Sequence, residues 1–524
     1  MTGLAGIVAG AELLFQWDVF IWLVFGLVAG FLVGVLPGFE ATNAVAILLP
    51  FSISLSTETA LLLMAGVYAG ASFAGSVPAI LMNVPGTAGT AATALDGYPL
   101  ALRGQAGMAI GVARTASAFG GVVSGAVALL IIGPLASIAL SFGTPEVFLV
   151  ALIGLFVIGA VVGDSPRKGL LAACFGLGLA AMSVNPLTAS PRFTLGMIEL
   201  YEGIPFIPAI IGLFAFSQMI LAASGGVATP TNLDATAHRG SSEGVGWLRE
   251  QARQATDGVK QAFQYPATLA RSTFIGGVIG IIPGMGTAVS NFIAYADAKS
   301  RAKDPDSFGR GNPEGIVASE ACENAVVTGT LIPTLTLGIP GSSVAAVMLA
   351  SLYLHGVQPG PRVMETHAAE VYAVVLGVLV ASALILPIGV LLASPLTLIA
   401  RLRAQVLVPP VLLICIVGTY AFRNSMFDVW LALLFGLLGV AMRLTGFPIV
   451  PLVLGMILGP IIEATFLRSL LLGSGSPAIF FSSTISRVLW LVIASLLVSA
   501  IVRRLRRDER GAKQAAVNPM EAID

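Results

Sequence analysis

Four proline–glycine pairs carry the chemistry in this sequence. Gly30-x3-Gly34-x2-Pro37-Gly38 recurs as Gly276-x3-Gly280-x2-Pro283-Gly284, 246 residues later. Pro78-x6-Pro85-Gly86 recurs as Pro333-x6-Pro340-Gly341, 255 residues later. Small polar residues follow each pair. Proline removes a backbone donor and collides with the preceding turn, and glycine permits a sharp change of direction. Each pair is therefore predicted to end one helix and start another, and the twin prolines of the second and fourth units to break the chain twice. The first amides of a new helix have no partner inside it, and together they carry about half a positive charge. An anion, above all a carboxylate, is the natural ligand there. Carbonyls at the ends of broken helices suit Na⁺. The predicted substrate-binding residues are Gly38, Thr42, Asn43, Asn83, Gly86, Thr87, Gly284, Thr287, Ser290, Asn291, Gly341, Ser342 and Ser343. The ion-coupling candidates are Glu40, Ser76, Thr336 and Asn324.

Each of these has a plainer reading. Glycine stripes pack membrane helices together. Serine and threonine bond their own helix backbone. Glu40 can cap a helix start. Glu320 and Glu323 either line a path or end a helix beside the basic loop at Lys299–Arg310. Asn43, Asn83, Asn291 and Asn324 have no such outlet and are the stronger site residues, because an amide facing lipid is costly.

The elements that must hold these residues are membrane helices. The chain has 524 residues, of which 56% are hydrophobic and 10% charged, against about 25% charged in soluble domains. That excludes disorder, a disulfide scaffold and a nucleic-acid binder. Net charge is zero. Cys174, Cys322 and Cys415 are far apart, so no structural metal site and no cofactor is expected. The three histidines lie outside the long apolar runs. The expected fold is an all-α polytopic membrane protein with about 10 to 13 transmembrane helices, plus re-entrant or broken helices, in two inverted repeats.

Charge density divides the chain. Val19–Ala223 holds 12 charged residues in 205, and Ser224–Arg271 holds 9 in 48. The expected organisation is an N-terminal segment (1–18), a first membrane repeat (19–223), a polar linker or surface helix (224–266), a second repeat with additional C-terminal spans (267–502) and a basic tail (503–524). Residues 1–17 lack a basic region and contain Glu12, so Val19–Leu36 reads as a retained span rather than a signal peptide. The Arg-rich tail and the loop at Lys299–Arg310 place both on the cytoplasmic side. The corresponding stretch around Ser54–Glu58 has no Lys or Arg. Opposite basic bias in corresponding loops is the mark of an inverted repeat.

The motifs as written resemble the TctA family, the large permease subunits of tripartite tricarboxylate transporters. The resemblance lies in GLVAGFLVGVLPG (Gly26–Gly38), GSVPAILMNVPGTAGTAATALDGYPLALRGQAG (Gly75–Gly107), PRFTLG (Pro191–Gly196), GGVIGIIPGMG (Gly276–Gly286) and LIPTLTLGIPGSSVAAVMLASLYLHGVQPGP (Leu331–Pro361). It runs from about Gly26 to about Ser486. It implies a multi-pass protein of the bacterial inner membrane that imports carboxylates with Na⁺ or H⁺ by an elevator-type movement. It also implies a small membrane subunit and a periplasmic solute-binding protein as partners. Homo-oligomer formation is left open. Two positions depart from the family pattern: Glu40, where a small or uncharged residue is usual, and Glu323-Asn324, where two asparagines are common. The alternatives are a passive anion channel and an intramembrane enzyme. For the enzyme, no apolar run supplies a histidine or lysine base.

Overall fold

The computed structural model describes residues 3–36, 39–161, 165–185, 190–224, 245–282, 286–399 and 404–495. The predictions at Gly38 and Gly284, most of the polar linker and the basic tail lie outside them.

The described chain is helical almost throughout. Its first half runs α1 (Leu4–Leu14), α2 (Trp17–Gly34), α3 (Ala41–Ser52), α4 (Thr57–Ala74), α5 (Ser76–Met82), α6 (Thr90–Leu102), α7 (Ala106–Leu140), α8 (Thr144–Val161) and α9 (Pro166–Ala180). A helical stretch with a π-turn at Ile211–Phe216 forms α10 (Phe206–Ala223). The second half runs α11 (Val245–Ala262), α12 (Pro266–Ile281), α13 (Gly286–Arg301), α14 (Pro313–Leu337), α15 (Ser343–Leu354), α16 (Ala368–Ile399), α17 (Ala404–Arg423), α18 (Met426–Leu444) and α19 (Ile449–Leu472), then α20 (Thr484–Ser495). Among the described residues one two-stranded ladder occurs, Ser183–Val184 against Pro191–Arg192. Beside it, Arg192 grips the Glu463 carboxylate at 2.6 and 3.0 Å.

Seven of these helices are long and apolar enough to cross a bilayer by length and composition. The chain is thus a multi-pass membrane protein. α14 is long enough at 25 residues and is buried from Gly315 to Thr336, but Glu320, Glu323 and Asn324 make it too polar to stand among the seven. Only an interior position suits such a helix. It packs against α7 on one side and α12 on another.

Glycine spacing explains the tightest packing. A β-carbon on Gly30 would lie 2.6 Å from the Val67 carbonyl oxygen, and one on Gly276 would lie 2.5 Å from that of Cys322. Gly34 and Gly280 meet the carbonyls of Ala71 and Val326 in the same way, at 2.7 and 2.9 Å. The first helix of each repeat is thus pressed onto its third, α2 on α4 and α12 on α14, at positions separated by 246 and 255 residues. The packing and the helix-breaking readings of these glycine motifs both hold, one turn apart.

One expectation needs correction. Pro333 does not break the chain; it sits inside α14. Pro78 lies in the first turn of α5, and the chain is interrupted just before it, at Gly75 between α4 and α5. A buried proline is tolerated where neighbouring groups re-satisfy the backbone. The turns come five residues later, at Asn83 (φ 55°) and Gly338 (φ 69°), both left-handed. The next amides, of Val84 and Ile339, then return to the carbonyls of Pro78 and Pro333, each at 3.3 Å.

These contacts predict a contrast between adjacent glycines. Gly276→Ala should destabilise the protein in detergent by about 1–3 kcal/mol. Gly277→Ala, whose β-carbon would have nothing within 4 Å, should leave the melting temperature unchanged. Equal melting of both variants would contradict the α12–α14 packing.

Candidate functional site

The four chain breaks meet in a ring. A β-carbon on Gly86, in the second break, would lie 3.1 Å from the carbonyl oxygen of Gly34, at the approach to the first. One on Gly341, in the fourth, would lie 2.9 Å from that of Gly280, at the approach to the third. The second and third breaks touch where Gly89 faces Thr287 and Asn291. The fourth and first touch where Thr42 donates to the Ser343 hydroxyl at 2.8 Å. Broken helices thus close on one another, with Gly86, Gly89 and Gly341 buried at the corners and Glu40 and Asn83 at the exposed rim.

Local rules build each corner. Ser342 caps α15, its hydroxyl accepting from the Ala345 amide at 3.1 Å. Thr87, 255 residues earlier, accepts from the Thr90 amide at 3.2 Å, while the Thr87 amide donates to the Thr90 hydroxyl at 3.1 Å. Ser342 is an N-cap; Thr87, at the equivalent position of the first repeat, makes the same bond from the turn before α6, whose own N-cap is Gly89. The first-turn amides of Ala41 and Thr42 in α3 lack a helical partner by position.

The ring has two unlike sides. On one, the Tyr68 hydroxyl lies 3.0 Å from both Ser342 Oγ and Thr330 Oγ1. Thr42, Ser343 and Asn43 are close by in chain and space, and Asn43 is buried with neither amide atom hydrogen-bonded. On the other side Glu323, fully buried, accepts from the Thr87 hydroxyl at 3.1 Å and from the Asn291 amide. Glu323 follows Tyr68 by 255 residues. Each repeat therefore sends one side chain from its third helix to the cap hydroxyl of the other repeat: Tyr68 to Ser342, Glu323 to Thr87.

Most of the predicted substrate residues gather in this ring: Thr42, Asn43, Gly86, Thr87, Thr287, Asn291, Gly341, Ser342 and Ser343. Ser290 is buried and spends its hydroxyl on the carbonyls of Gly286 and Thr287, at 2.9 and 3.0 Å. Asn83 is exposed and serves as the left-handed end of α5. Among the ion-coupling candidates, Thr336 donates to the Ile332 carbonyl of its own helix at 2.8 Å, while Ser76, which begins α5, donates to the Phe73 carbonyl of α4 at 2.5 Å and also faces the Glu320 carboxylate. Glu40 is exposed at the start of α3, with no side-chain cap bond. Asn324 is buried with both amide atoms unpartnered, beside Gly121 of α7. The helix-end reading of Glu320 and Glu323 does not hold, since both lie within α14 and are buried. Tyr68 and Thr330 were not anticipated. The 255-residue offset, which sets Tyr68 opposite Glu323, was the available signal.

A family model described as "Tripartite tricarboxylate transporter TctA family" matches residues 20–454. The "Uncharacterized 52.8 kDa protein in TAR-I ttuC' 3'region" of Agrobacterium vitis is 32% identical over 493 residues, covering 93% of this chain and 94% of that protein. The "Uncharacterized protein in TAR-II ttuC' 3'region" of the same organism is 29% identical over 239 residues, 45% of this chain and 98% of its own length. No solved structure matches the chain.

The contact between Thr42 and Ser343 is open to a direct chemical check. The double variant Thr42→Cys/Ser343→Cys, in a background lacking the exposed Cys174, should form a disulfide on mild oxidation, detected as a linked peptide by mass spectrometry. Two thiols that stay free under oxidation would mean that the first and fourth breaks do not touch.

Proposed function

We propose, for a chain that belongs to the tripartite tricarboxylate transporter TctA family, that it is the permease subunit of a binding-protein-dependent importer of carboxylates, driven by Na⁺ or H⁺. The observation that carries this reading is the ring of four helix breaks. Its peptide groups and hydroxyls form a polar locus inside an apolar protein, and the amides at the start of α3 suit a negative group. Asn43, with its unpartnered amide, and Thr42, Ser342 and Ser343 supply neutral donors for a carboxylate. Thr87, Thr287 and Asn291 border the other side, next to Glu323.

The reading is transport rather than catalysis or passive conduction. The Thr42–Ser343 bond closes the ring across the two repeats, which favours a site opened by movement over a standing pore. The paired motifs and their mirrored contacts favour two inverted repeats, whose broken helices move as one group against the other helices in an elevator-type movement. The Arg-rich sequence at 503–510 favours a cytoplasmic C-terminus in a bacterial inner membrane. A small membrane subunit and a periplasmic solute-binding protein complete the assembly. The cargo is a tricarboxylate, a dicarboxylate or an aromatic carboxylate.

The test is uptake of labelled citrate, succinate and benzoate into vesicles carrying the full chain and its partner subunits, under imposed Na⁺ or pH gradients. One of the three should accumulate. Asn43→Ala should raise its KM about tenfold, the worth of one hydrogen bond to a charged group, with the melting temperature unchanged. Unaltered KM in that variant would remove Asn43 from the site, and vesicles that take up none of the three would defeat the carboxylate reading.

A further inference from the structure

The two repeats are matched in their breaks and caps but not in their acids. α14 carries Glu320 and Glu323 one turn apart, both at 1% exposure or less. The equivalent positions of α4, 255 residues earlier, are Ala65 and Tyr68. Glu323 has its two donors, Thr87 and Asn291. Glu320 takes a bond from Thr93 at 2.5 Å on one oxygen, and its other oxygen has no partner. Among the described residues, no ion pair includes either acid.

The groups that face this pair are otherwise neutral hydroxyls, an amide and a thiol. α4 brings Tyr68; α5 brings Ser76; α6 and the turn before it bring Thr93 and Thr87; α13 brings Asn291; α14 itself adds Ser319 and Cys322. Among the described residues, none of the charged groups on the packed elements pairs with either acid. Arg114 of α7 is buried with Nε and Nη1 unpartnered, its stem against Gly389. Arg271 of α12 is bonded to Asp297 of α13 at 3.0 Å. Asp96 of α6 is held by Tyr295 of α13 at 2.7 Å and by the amides of Gly309, Gly311 and Asn312 at 2.8–2.9 Å. Two ionised carboxylates a turn apart, buried without a counter-charge, would repel each other and forfeit several kcal/mol of hydration apiece. Binding a proton removes both penalties.

Asn291 adds an independent sign. Its Nδ2 donates to Glu323, while its Oδ1 is buried with no partner. Turned over, the same amide accepts from a carboxylic acid O–H instead of donating to a carboxylate, and it breaks no other bond in doing so. The Thr87 hydroxyl also serves either state, and it caps the first turn of α6. Gly89 leaves the room for this group: a β-carbon there would lie 2.1 Å from Glu323 Oε2 and 2.6 Å from Asn291 Nδ2.

We propose that the coupling ion is a proton, carried on Glu323 beside Glu320 and read out by Asn291 and Thr87. This rests on the carboxylate-import reading above. The proton leaves water on one side of the membrane, forms an O–H bond on Glu323, and returns to water on the other side as the ring opens there; nothing is oxidised or reduced. Because the acids lie in one repeat only, the hydroxyl-lined side of the ring is left to the cargo.

The test uses vesicles of the full chain with its partners and two readouts. Infrared difference spectra across a pH titration should show a carboxylic-acid C=O band that Glu323→Gln removes. Wild-type vesicles should accumulate the transported member of the citrate, succinate and benzoate panel under a pH gradient. Glu323→Gln should abolish that accumulation and make any remaining cargo exchange independent of pH. Asn291→Leu removes a bond to either form, and the bond to the charged form is the stronger, so half-maximal accumulation should move to higher pH by about one unit. A wild type driven by a Na⁺ gradient at equal pH on both sides, a Glu323→Gln variant that still accumulates cargo under a pH gradient, or a titrating band that survives in that variant would each overturn the proton assignment. A wild type that moves none of the three carboxylates but shows the Glu323 band would instead count against the cargo reading alone.

Discussion

A helix that ends inside a membrane protein leaves peptide groups that water does not reach, and each such group costs free energy until something bonds it. Four helix breaks of this chain meet around the buried Gly86, Gly89 and Gly341. The solution is mutual. Gly34 and Gly86 bring the first two breaks into backbone contact, and Gly280 and Gly341 do the same for the last two. Thr42 with Ser343 and Gly89 with Asn291 then join the pairs. Glycine at these corners is required by distance, since a side chain on any of them would strike a neighbour's backbone or a functional amide. The hydroxyls that follow satisfy the new helix starts. What remains unbonded at the centre, the Asn43 amide above all, is the polar capacity left for a solute.

The duplication explains the architecture, and its imperfections explain the chemistry. Tyr68 and Glu323 are equivalent in sequence and in direction, each crossing to a cap hydroxyl of the opposite repeat. One is a neutral phenol and the other an acid. Thr42 and Ser343 likewise bond each other, whereas the residues at the equivalent positions are Ala288 and Ala88. Hydroxyls collect on one side of the ring and ionisable groups on the other. Duplicated packing with unlike side chains thus gives two adjacent sites of different character from one backbone plan.

The backbone plan was legible because glycine and proline act through their own covalent structure. The 246- and 255-residue offsets exposed the repeat, and the same offsets pair the observed contacts. The position of each turn was less legible. Proline marks where a helix is weakened, but the left-handed turn falls on Asn83 and Gly338, five residues on, where the helix end is closed by bonds back to the proline carbonyls. Asn83 was therefore read as a ligand when it is an exposed helix terminator. Thr336 shows the reverse limit, for a hydroxyl near a break is still spent on its own helix. The placement of Glu320 and Glu323 depends on what α14 packs against, and helix periodicity does not encode that.

The same packing decides how a change at Glu323 is transmitted. Repeat one holds α14 along much of its length. Asp96, midway along α6, accepts three amides at the loop entering α14, and Arg103 donates to the Arg310 carbonyl at 2.6 Å. Thr93 and Thr87 reach Glu320 and Glu323 further along, and Tyr68 meets Thr330 near the far end. A helix held at this many points is poorly placed to slide by itself. α6 and α14 are bound to respond as one body, so the donor-to-acceptor exchange at Thr87 acts on the α6 cap while the remaining bonds hold register. On the opposite side α3 and α15 are tied at both ends, by Thr42 to Ser343 at 2.8 Å and by His355 Nε2 to the Ser52 carbonyl at 3.0 Å, and Tyr68 adds a tie from α4 to Ser342. Both sides of the ring are therefore cross-linked between the repeats, and the broken helices are built to move together. A movement of that kind carries the hydroxyls and the acids to water in one step, which is what the release of a proton from Glu323 requires.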